Sequence, residues 1–555
     1  MSTLNNTPGK MGFIIGASSV GTLIEWYDFY IFGMLAKVIS SQFFPEDSGT
    51  AALLSTLAIF AAGFIVRPFG ALVFGRLGDL IGRKYTFLLT LVLMGGSTFA
   101  IGLIPGYVTI GWWAPLLVLL LRLVQGLALG GEYGGAATYV AEHAPINRRG
   151  FWTSWIQTTA TLGLFLALGV IILIRKSQSI TDFESEWGGW RYPFWISLLL
   201  VFVSIIIRMR MSESPLFEKI KSSGKTSKNP LKESFGNKAN FKMVLLALFG
   251  AVMGQGVVWY TGQFYAQSFL ENTCGVNFED SRNIILVAIL FATPFFVIFG
   301  SWSDRVGRKW IILTGMLVAA CSYYFIYDSM LNTTSATTKR ALFSSATEPS
   351  SVVTVDSKRP NVLHRITKYD TLYSDGAKFS FTKTDTITLL EKSVPNTKEL
   401  KIVVDSNANA LVYSRKAGPK TVLENGSATV TAKSISKKHA LSVEKALDRS
   451  SFWYLSFLVF IQVFFVTMVY GPIAAFLVEM FPTKIRYTSM SLPYHIGNGV
   501  FGGLVPFLST LMVELSKSNG GTGNPLIGLG YPISVALLCF IIGTIYLKNK
   551  PALSE

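Results

Sequence analysis

The chain has 555 residues, of which 50% are hydrophobic and only 15% are charged, against roughly 25% charged in a typical soluble domain. These values exclude an ordinary soluble globular protein and indicate an integral membrane protein. The formal net charge of +17 does not indicate a nucleic-acid binder, because the basic residues lie mainly in loops between apolar runs and in one polar insert.

Apolar runs recur along the chain, and each is long enough to cross a hydrocarbon core about 30 Å thick. A backbone in lipid must satisfy its polar groups internally, so these runs are expected to form helices. Twelve membrane-spanning helices are predicted, and we number them spans 1 to 12 in chain order. They cover residues 12–39, 52–75, 85–104, 112–140, 152–174, 192–209, 243–270, 283–300, 310–327, 452–479, 487–513 and 529–547.

The distribution of Lys and Arg between the loops predicts the orientation of the spans. Cations concentrate in alternate loops, such as Arg148 and Arg149 after span 4, whereas the loops at 40–51 and 105–111 contain none. Both termini are therefore predicted to be cytoplasmic. We expect a multi-pass plasma membrane protein, in the bacterial inner membrane, without a cleavable signal peptide because the first apolar run is too long for one.

A ten-residue motif occurs twice, as GRLGDLIGRK (75–84) after span 2 and as GSWSDRVGRK (300–309) after span 8. A second echo, EHAPINRR (142–149) and EMFPTKIR (479–486), follows spans 4 and 10 but has a larger offset. The difference is explained by extra sequence at 331–449. The chain is thus predicted to contain two six-helix halves, a known plan of transporters.

The predicted domains follow from this repeat. They are an N-terminal six-helix half (1–210), a cytoplasmic linker (211–242), a C-terminal six-helix half (243–330 and 450–555) and an extracytoplasmic inserted domain (331–449). The insert is rich in Thr, Ser, Val and Lys, and KFSFTKTDTITLLEK is typical of a strand. We predict a β-rich insert that either binds an envelope partner or is a tolerated loop insertion.

Ionisable residues within apolar helices are costly and are candidates for function. In span 1, Glu25 and Asp28 are three residues apart and share a helix face near the middle of the membrane. Arg122 of span 4 reaches a similar depth and is the expected countercharge for one of them. A carboxylate that alternately gains and loses such a partner can carry a proton. The alternative is a static ion pair that holds spans 1 and 4 together.

Other polar residues within or near the spans are candidates for contact with a substrate. They are Tyr27, Arg67, Gln125, Glu132, Gln255, Tyr260, Gln263 and Asn498. Trp26, Tyr27 and Tyr30 of span 1, with Trp259 and Tyr260 of span 7, are aromatic candidates for a cation–π contact, although packing is the more common role of such residues. Gly126, Gly130 and Gly134 form a ladder of small residues that indicates close helix packing.

The repeated GxLaDrxGRK-type motif, together with GTLIEWYDFYIFG, RLVQGLALGGEYGGAATYVAEHAP and EMFPTKIRYTSMSLPYHIGNGVFGGLVP, resembles the major facilitator superfamily, and within it the metabolite:proton symporters. That group includes proline/betaine, α-ketoglutarate, citrate and shikimate permeases. The resemblance covers everything except 331–449 and implies an all-α membrane fold whose two halves rock between two states. It also implies that both copies of the motif latch the cytoplasmic end. The implied gating residues are Gly75, Asp79, Gly82, Arg83, Asp304, Gly307 and Arg308.

The sequence therefore predicts a non-enzymatic, proton-coupled symporter of a small organic metabolite, either an osmolyte of the proline/betaine type or a carboxylate. A membrane sensor or envelope scaffold that works through the insert is the alternative. An ATP-driven pump is excluded because SSGKTS (222–227) lacks the first glycine of a phosphate-binding loop. The expected partners are the solute, protons and the lipid bilayer, with no nucleic acid, no metal and no cofactor.

Overall fold

The structure is a computed structural model. It describes residues 8–45, 48–81, 83–131, 137–138, 140–141, 144–209, 233, 235–336, 339, 350–355, 362–389, 400–404, 410–414, 435–481, 486–517 and 523–549.

The described part of the first half is helical. Its helices are Pro8–Met34, Ala36–Phe43, Gly49–Ile65, Arg67–Ile81, Arg83–Ile101, Tyr107–Ile110, Trp113–Gly130, Arg149–Lys176, Ile180–Glu184 and Tyr192–Met209, with 3₁₀ turns at Ile146–Arg148 and Gly189–Arg191. Span 2 consists of two of these helices, with the break at Val66 ahead of Arg67 and Pro68. Pro68 lies in the first turn of the helix Arg67–Ile81, where a proline is tolerated because the N–H that it lacks would have no partner within the helix.

The second half is helical as well, but spans 7 and 11 contain π-helical segments. Its α-helices are Lys238–Ala247, Met253–Tyr260, Ala266–Ser268, Phe278–Val306, Arg308–Thr334, Arg449–Tyr470, Ile473–Met480, Arg486–His495, Val505–Ser516 and Gly530–Tyr546. The π-helical segments are Leu248–Val252, Thr261–Tyr265, Phe269–Thr273 and Ile496–Gly502, and a 3₁₀ turn covers Ile527–Leu529.

The predicted all-α membrane fold is confirmed. Within the described residues, ten helical stretches are long and apolar enough to cross a membrane. The two remaining predicted spans correspond to the helix Pro8–Met34 and to the shorter apolar helix Leu88–Ile101. A described helix therefore lies within each of the twelve predicted spans.

Glycines bring spans 2 and 4 into backbone contact. A Cβ added at Gly126 would lie 1.9 Å from the carbonyl oxygen of Gly63, and one added at Gly130 would lie 2.1 Å from that of Arg67. The packing role predicted for these two glycines is therefore confirmed, whereas Gly134 lies outside the described residues. This contact places Arg67 and Arg122 on adjacent helices.

The chain divides into two compact units. One contains Met1–Thr273, Ser281–Leu331 and Trp453–Glu555, and the other contains Cys274–Asp280 and Asn332–Phe452. The second unit includes the insert. Its described strands are β1 (Ser350–Val355), β2 (Val362–Leu372), β3 (Lys378–Leu389), β4 (Leu400–Val404), β5 (Ala410–Ser414) and β6 (Ile435–Ala446).

The strands form a four-stranded antiparallel sheet in the order β1-β2-β3-β6 and a separate β4-β5 hairpin. A tight turn joins β2 to β3 and sets the register from Leu372 opposite Lys378 to Val362 opposite Thr388. Lys339 binds the carboxylates of both Asp375 and Asp448, the latter at 3.1 Å. Burial alone would raise the pKa of Asp448, but hydrogen bonds from Ser450, Ser451 and Lys339 hold it well below its usual range.

Candidate substrate site and gates

Three aromatic rings from the two halves meet at the centre of the helical unit. Trp26 and Tyr30 of span 1 stack with ring centroids 5.1 Å apart. Trp259 of span 7 lies 5.9 Å from Trp26 and 5.7 Å from Tyr30. All three side chains are buried. We call these three residues the aromatic cluster.

Two buried arginines flank Phe29, which is next to the aromatic cluster on span 1. The Cζ atoms of Arg67 and Arg122 lie 4.4 and 4.1 Å from the centroid of the Phe29 ring. Arg67 also contacts the ring of Trp26, at 5.6 Å. The Nε and Nη2 atoms of both arginines have no hydrogen-bond partner among the described residues. Two like charges thus lie close together with donors to spare, an arrangement that favours binding of an anion.

The second half adds polar atoms that are buried and lack a hydrogen-bond partner within the described ranges. They belong to Trp259, Tyr260, Gln263, Gln462 and His495. Tyr260 and His495 interact electrostatically with Arg67 without meeting hydrogen-bond geometry. Gln263 lies in the π-helical segment Thr261–Tyr265. Such segments are frequent at functional sites because they disrupt the regular helical hydrogen bonds.

Other predicted substrate residues have partners in the protein. Gln125 accepts a hydrogen bond from Nη1 of Arg122 at 2.7 Å and donates one to Thr98 at 2.7 Å, so it orients that arginine. Gln255 and Asn498 exchange two hydrogen bonds of 3.0 Å between spans 7 and 11.

Tyr27 is also engaged within the first half. Its hydroxyl donates to the carbonyl oxygen of Pro193 at 2.8 Å, which ties span 1 to the start of span 6. Contact of Tyr27 with a substrate therefore stays a prediction.

Asp28 and Glu25 are both buried, with 1% and 2% of their surface exposed. Asp28 lies beside Ser197, and its Oδ2 is close to Gly95 of span 3. Neither of its carboxylate oxygens has a hydrogen-bond partner in the part of the chain that the structure describes. Asp28 thus faces the interior of the first half.

Among the described residues, Arg122 forms no ion pair with Asp28, one of its two predicted partners, and binds Gln125 instead. The reason is the rotation of span 1, which turns Phe29 rather than Asp28 toward Arg122.

The Asp that the two copies of the motif share, Asp304 in the second copy, lies at a helix start of the opposite half. Asp304 accepts hydrogen bonds from the backbone N–H groups of Gly150 at 2.8 Å and of Phe151 at 2.9 Å, at the beginning of span 5. The positive end of a helix dipole favours a carboxylate there. We call this contact the inner latch, since the loop is predicted to be cytoplasmic.

Arg308 connects the inner latch to span 10. Its Nη2 binds Asp304 at 3.0 Å and Glu479 at 2.7 Å. Gly307 precedes it with a φ of 93°, in the left-handed region that favours glycine, and so forms the turn between spans 8 and 9. Glu479 was not predicted, although its place in the EMFPTKIR echo was a signal for it.

The corresponding contacts of the first copy, GRLGDLIGRK (75–84), lie outside the described residues. Gly82 and Glu132 lie outside the described residues, as do the side chains of Asp79 and Arg83 and the environment of Gly75. Their predicted gating and substrate roles stay predictions.

Comparison with known proteins identifies the family. The profile of the sugar (and other) transporter family matches residues 14–226. The α-ketoglutarate permease of Escherichia coli (strain K12) is 36% identical over 335 residues, which cover 60% of this chain and 75% of the permease. The chain belongs to this family, within the major facilitator superfamily.

Other relatives in the superfamily are named after different solutes. The proline/betaine transporter of Salmonella typhimurium (strain LT2) is 37% identical over 321 residues, 56% of this chain and 63% of that protein. The shikimate transporter of Escherichia coli (strain K12) is 34% identical over 310 residues, 55% of this chain and 70% of that protein. The match to the Salmonella protein thus spans less than two thirds of its length.

Solved structures support the same fold. The crystal structure of a D-xylose-proton symporter has a TM-score of 0.60 at 15% identity, with 97% of this chain and 98% of that chain covered. The xylose transporter of E. coli in a partially occluded inward-open conformation gives 0.59 at 14% identity, with 97% and 98% covered. This major facilitator protein is therefore a multi-pass membrane protein with the fold of known transporters.

Sequence reasoning missed several residues of the centre. Phe29, Phe60 and Phe64, whose rings contact Arg67 or Arg122, were not predicted, and neither was Gln462. Trp26, Phe29 and Tyr30 follow helical spacing. The signal was present in span 1, but an aromatic stripe of this kind is usual in membrane helices.

Proposed function

We propose that the protein is a secondary active transporter that moves a small zwitterionic osmolyte together with a proton. The observation that carries this proposal is the pair of buried arginines beside the aromatic cluster, with N–H donors that no described residue uses. The membrane fold and the transporter relatives support the class of function.

A zwitterion fits both parts of this centre. Its carboxylate would accept hydrogen bonds from Arg67 and Arg122, and a guanidinium group presents donors in a fork that matches a carboxylate. Its cationic nitrogen would lie against the faces of Trp26, Tyr30 and Trp259, where the quadrupoles of the rings attract a cation. Proline and glycine betaine have both groups within a few bonds.

Asp28 is the proposed proton carrier. Its carboxylate is buried in the first half beside Ser197, and neither of its oxygens meets hydrogen-bond geometry with a described residue. A charged carboxylate in this position is costly, so a protonated one is favoured whenever protons can reach it. Glu25 and Arg122 remain proposed members of the coupling set.

A dicarboxylate is the second candidate substrate, favoured by the same two arginines. Each guanidinium could then hold one carboxylate, as expected for a solute such as α-ketoglutarate. The aromatic cluster would have no cation to bind in that case. We therefore place the zwitterion first.

Uptake by proteoliposomes tests the proposal. Purified protein is reconstituted, an inward proton gradient is imposed, and accumulation of radiolabelled proline, glycine betaine and α-ketoglutarate is measured. We expect concentrative uptake of a zwitterion that is abolished by a protonophore. Uptake of α-ketoglutarate alone would refute the zwitterion, and uptake that ignores the gradient would refute proton coupling.

Variants connect the result to the residues. Asp28→Asn should abolish gradient-driven accumulation while counterflow exchange persists, because Asn cannot carry a proton. Arg67→Gln should raise KM for the carboxylate-bearing solute. Asp182→Asn changes an exposed carboxylate of the short helix Ile180–Glu184; it is the matched control and should behave as the wild type. Unchanged accumulation in Asp28→Asn would contradict its role.

A further inference from the structure

A cavity opens at the end of the helical unit opposite the inner latch. It is a narrow cleft, and Lys37, Phe60, Phe264, Gln267 and Glu271 are among its lining residues. The predicted orientation makes this the extracytoplasmic end, and we call it the outer cavity.

Two phenylalanines separate the outer cavity from the aromatic cluster. Phe60 of the first half and Phe264 of the second half have ring centroids 5.3 Å apart. On the far side, Phe264 lies 5.3 Å from Tyr30 and Phe60 lies 5.3 Å from Phe29. The cavity thus leads to the centre through a floor of two rings, one from each half.

The wall of the outer cavity presents two buried acceptors. Oε1 of Gln267 and Oε1 of Glu271 have no hydrogen-bond partner among the described residues, and these residues are only 4% and 7% exposed. The other oxygen of Glu271 binds Arg282 at 3.2 Å. Glu271 Oε1 is therefore a buried acceptor with unused hydrogen-bonding capacity, on a residue that lines the cavity.

A cation lies across the cavity from Glu271, but the two are not in tight contact. Lys37 Nζ is 3.9 Å from Glu271 Oε1, too long for a hydrogen bond, and the Lys37 side chain is 51% exposed. Lys37 belongs to the first half and Glu271 to the second. A loose ion pair of this kind contributes little stability and is readily replaced.

We propose that the outer cavity is an entry site for a small zwitterion, which inserts between Lys37 and Glu271. The carboxylate of the solute binds Lys37 Nζ, and its cationic nitrogen binds Oε1 of Glu271 and of Gln267. One loose ion pair becomes two closer ones, and the solute is held directly above the Phe60–Phe264 floor. This assignment rests on the proposed function, because it deepens the choice of a zwitterion as substrate.

Kinetics of uptake test the contacts of the solute with Gln267 and with Lys37 separately. Gln267→Leu should raise KM for proline about tenfold, since one hydrogen bond to a charged group is lost. Glycine betaine should change less, because its quaternary nitrogen has no N–H to donate. Lys37→Met should raise KM for both solutes up to about fivefold, the range of an exposed ion pair.

The control is Asn272→Leu, which alters another amide in the same wall. The Asn272 side chain donates to Ser268 at 3.1 Å and is not a proposed contact of the solute, so removal of this amide should leave KM near the wild-type value. Vmax should stay at the wild-type value in Asn272→Leu. An unchanged KM for proline in Gln267→Leu, or an equal rise in Asn272→Leu, would overturn the proposal.

A binding measurement separates this site from the centre and from transport itself. Leu53 lines the outer cavity without being a proposed ligand, so Leu53→Cys can report occupancy by its rate of modification with N-ethylmaleimide. Cys321 is exposed and would be replaced by Ser, whereas Cys274 and Cys539 are buried. Burial raises the pKa of the Cys274 thiol to about 12, so that it stays protonated and unreactive.

Proline should slow the modification of Leu53→Cys, and this protection should survive Arg67→Gln. Lys37→Met should shift the protection to proline concentrations up to about fivefold higher. Protection that disappears with Arg67→Gln would belong to the centre and overturn the entry site, as would an absence of protection. Failure of uptake in the wild type would refute the proposed function, while protection would still decide whether the outer cavity binds a zwitterion.

Discussion

Replacing Asp304 with Asn is the most direct perturbation of the inner latch. The Asp304 carboxylate accepts from the N–H groups of Gly150 and Phe151 and binds Arg308 at 3.0 Å. Asn has the same size, but it lacks the charge and has one acceptor oxygen in place of two. The variant should therefore favour the conformation in which the inner end is open.

The magnitude follows from these contacts. A charge at a helix N-terminus contributes about 1 kcal/mol, and a hydrogen bond to a charged group contributes about 1 kcal/mol more than one to a neutral group. Their sum of about 2 kcal/mol corresponds to a shift of about thirtyfold in the equilibrium between the closed and open inner end. Arg308 keeps Glu479 as a partner, which limits further loss.

Labelling of a buried cysteine measures this shift. Ser154 is fully buried at the inner interface beside Gly300, and Cys has nearly the same size as Ser. In inside-out vesicles, modification of Ser154→Cys by an impermeant thiol reagent should be about thirtyfold faster with Asp304→Asn, if opening is a rapid pre-equilibrium.

Two further variants, a control and a second disruption of the inner latch, complete the labelling experiment. Arg305→Gln changes a charge on an exposed residue of the same turn and should leave the labelling rate unchanged. Gly150→Ala should act like Asp304→Asn, because a Cβ there would lie 2.3 Å from the carbonyl oxygen of Gly300 and 2.8 Å from Oδ1 of Asp304. Equal labelling in Asp304→Asn and the wild type would refute the inner latch.

Three further predictions concern packing and the insert. Gly130→Ala should lower the melting temperature in detergent, because the new Cβ would lie 2.1 Å from the Arg67 carbonyl oxygen and overpacking costs about 1–3 kcal/mol. Gly96→Ala is the control: Gly96 has open space around it, so the melting temperature should stay unchanged. Deletion of 331–449 with a short linker should preserve uptake if the insert is a tolerated insertion; loss of uptake from a correctly inserted protein would show that it is required. Asp448 has a depressed pKa in the folded state, so its contribution is present above the unfolded value of about 3.9 and is lost as the pH falls through the folded one. Lys339→Met should therefore weaken resistance of the insert to proteolysis at neutral pH, and equal resistance in both proteins would contradict the bridge.

The membrane fold was predictable because each span must carry its own hydrophobic signal. The twelve apolar runs, the repeated motif and the glycine ladder all lie in short windows of sequence. Burial of Glu25, Asp28, Arg67 and Arg122 could be inferred for the same reason, since a charge within an apolar run has to be buried with it.

The partners of those charges could not be predicted. A small rotation of span 1 decides whether Asp28 or Phe29 faces Arg122, and hydropathy does not determine that rotation. The π-helical segments that contain Gln263 and Asn498 depend on packing between spans 7 and 11. The pairing of β3 with β6 likewise joins segments far apart in the chain, although the strands themselves were indicated by composition.

At each end of the helical unit, a charged side chain of the second half binds backbone groups at a helix terminus of the first half, and the two side chains have opposite charges. At the inner end, Asp304 binds N–H groups at the start of span 5; at the outer end, Arg282 donates to the carbonyl oxygen of Met34, at the last residue of the helix Pro8–Met34. Terminal N–H and C=O groups have no partner within their own helix, and each dipole end favours the charge found there.

Side chains of the second half therefore bind backbone groups of the first half at both ends. Glu271 connects the outer contact to the outer cavity, because its Oε2 binds Arg282 and the same residue lines that cavity.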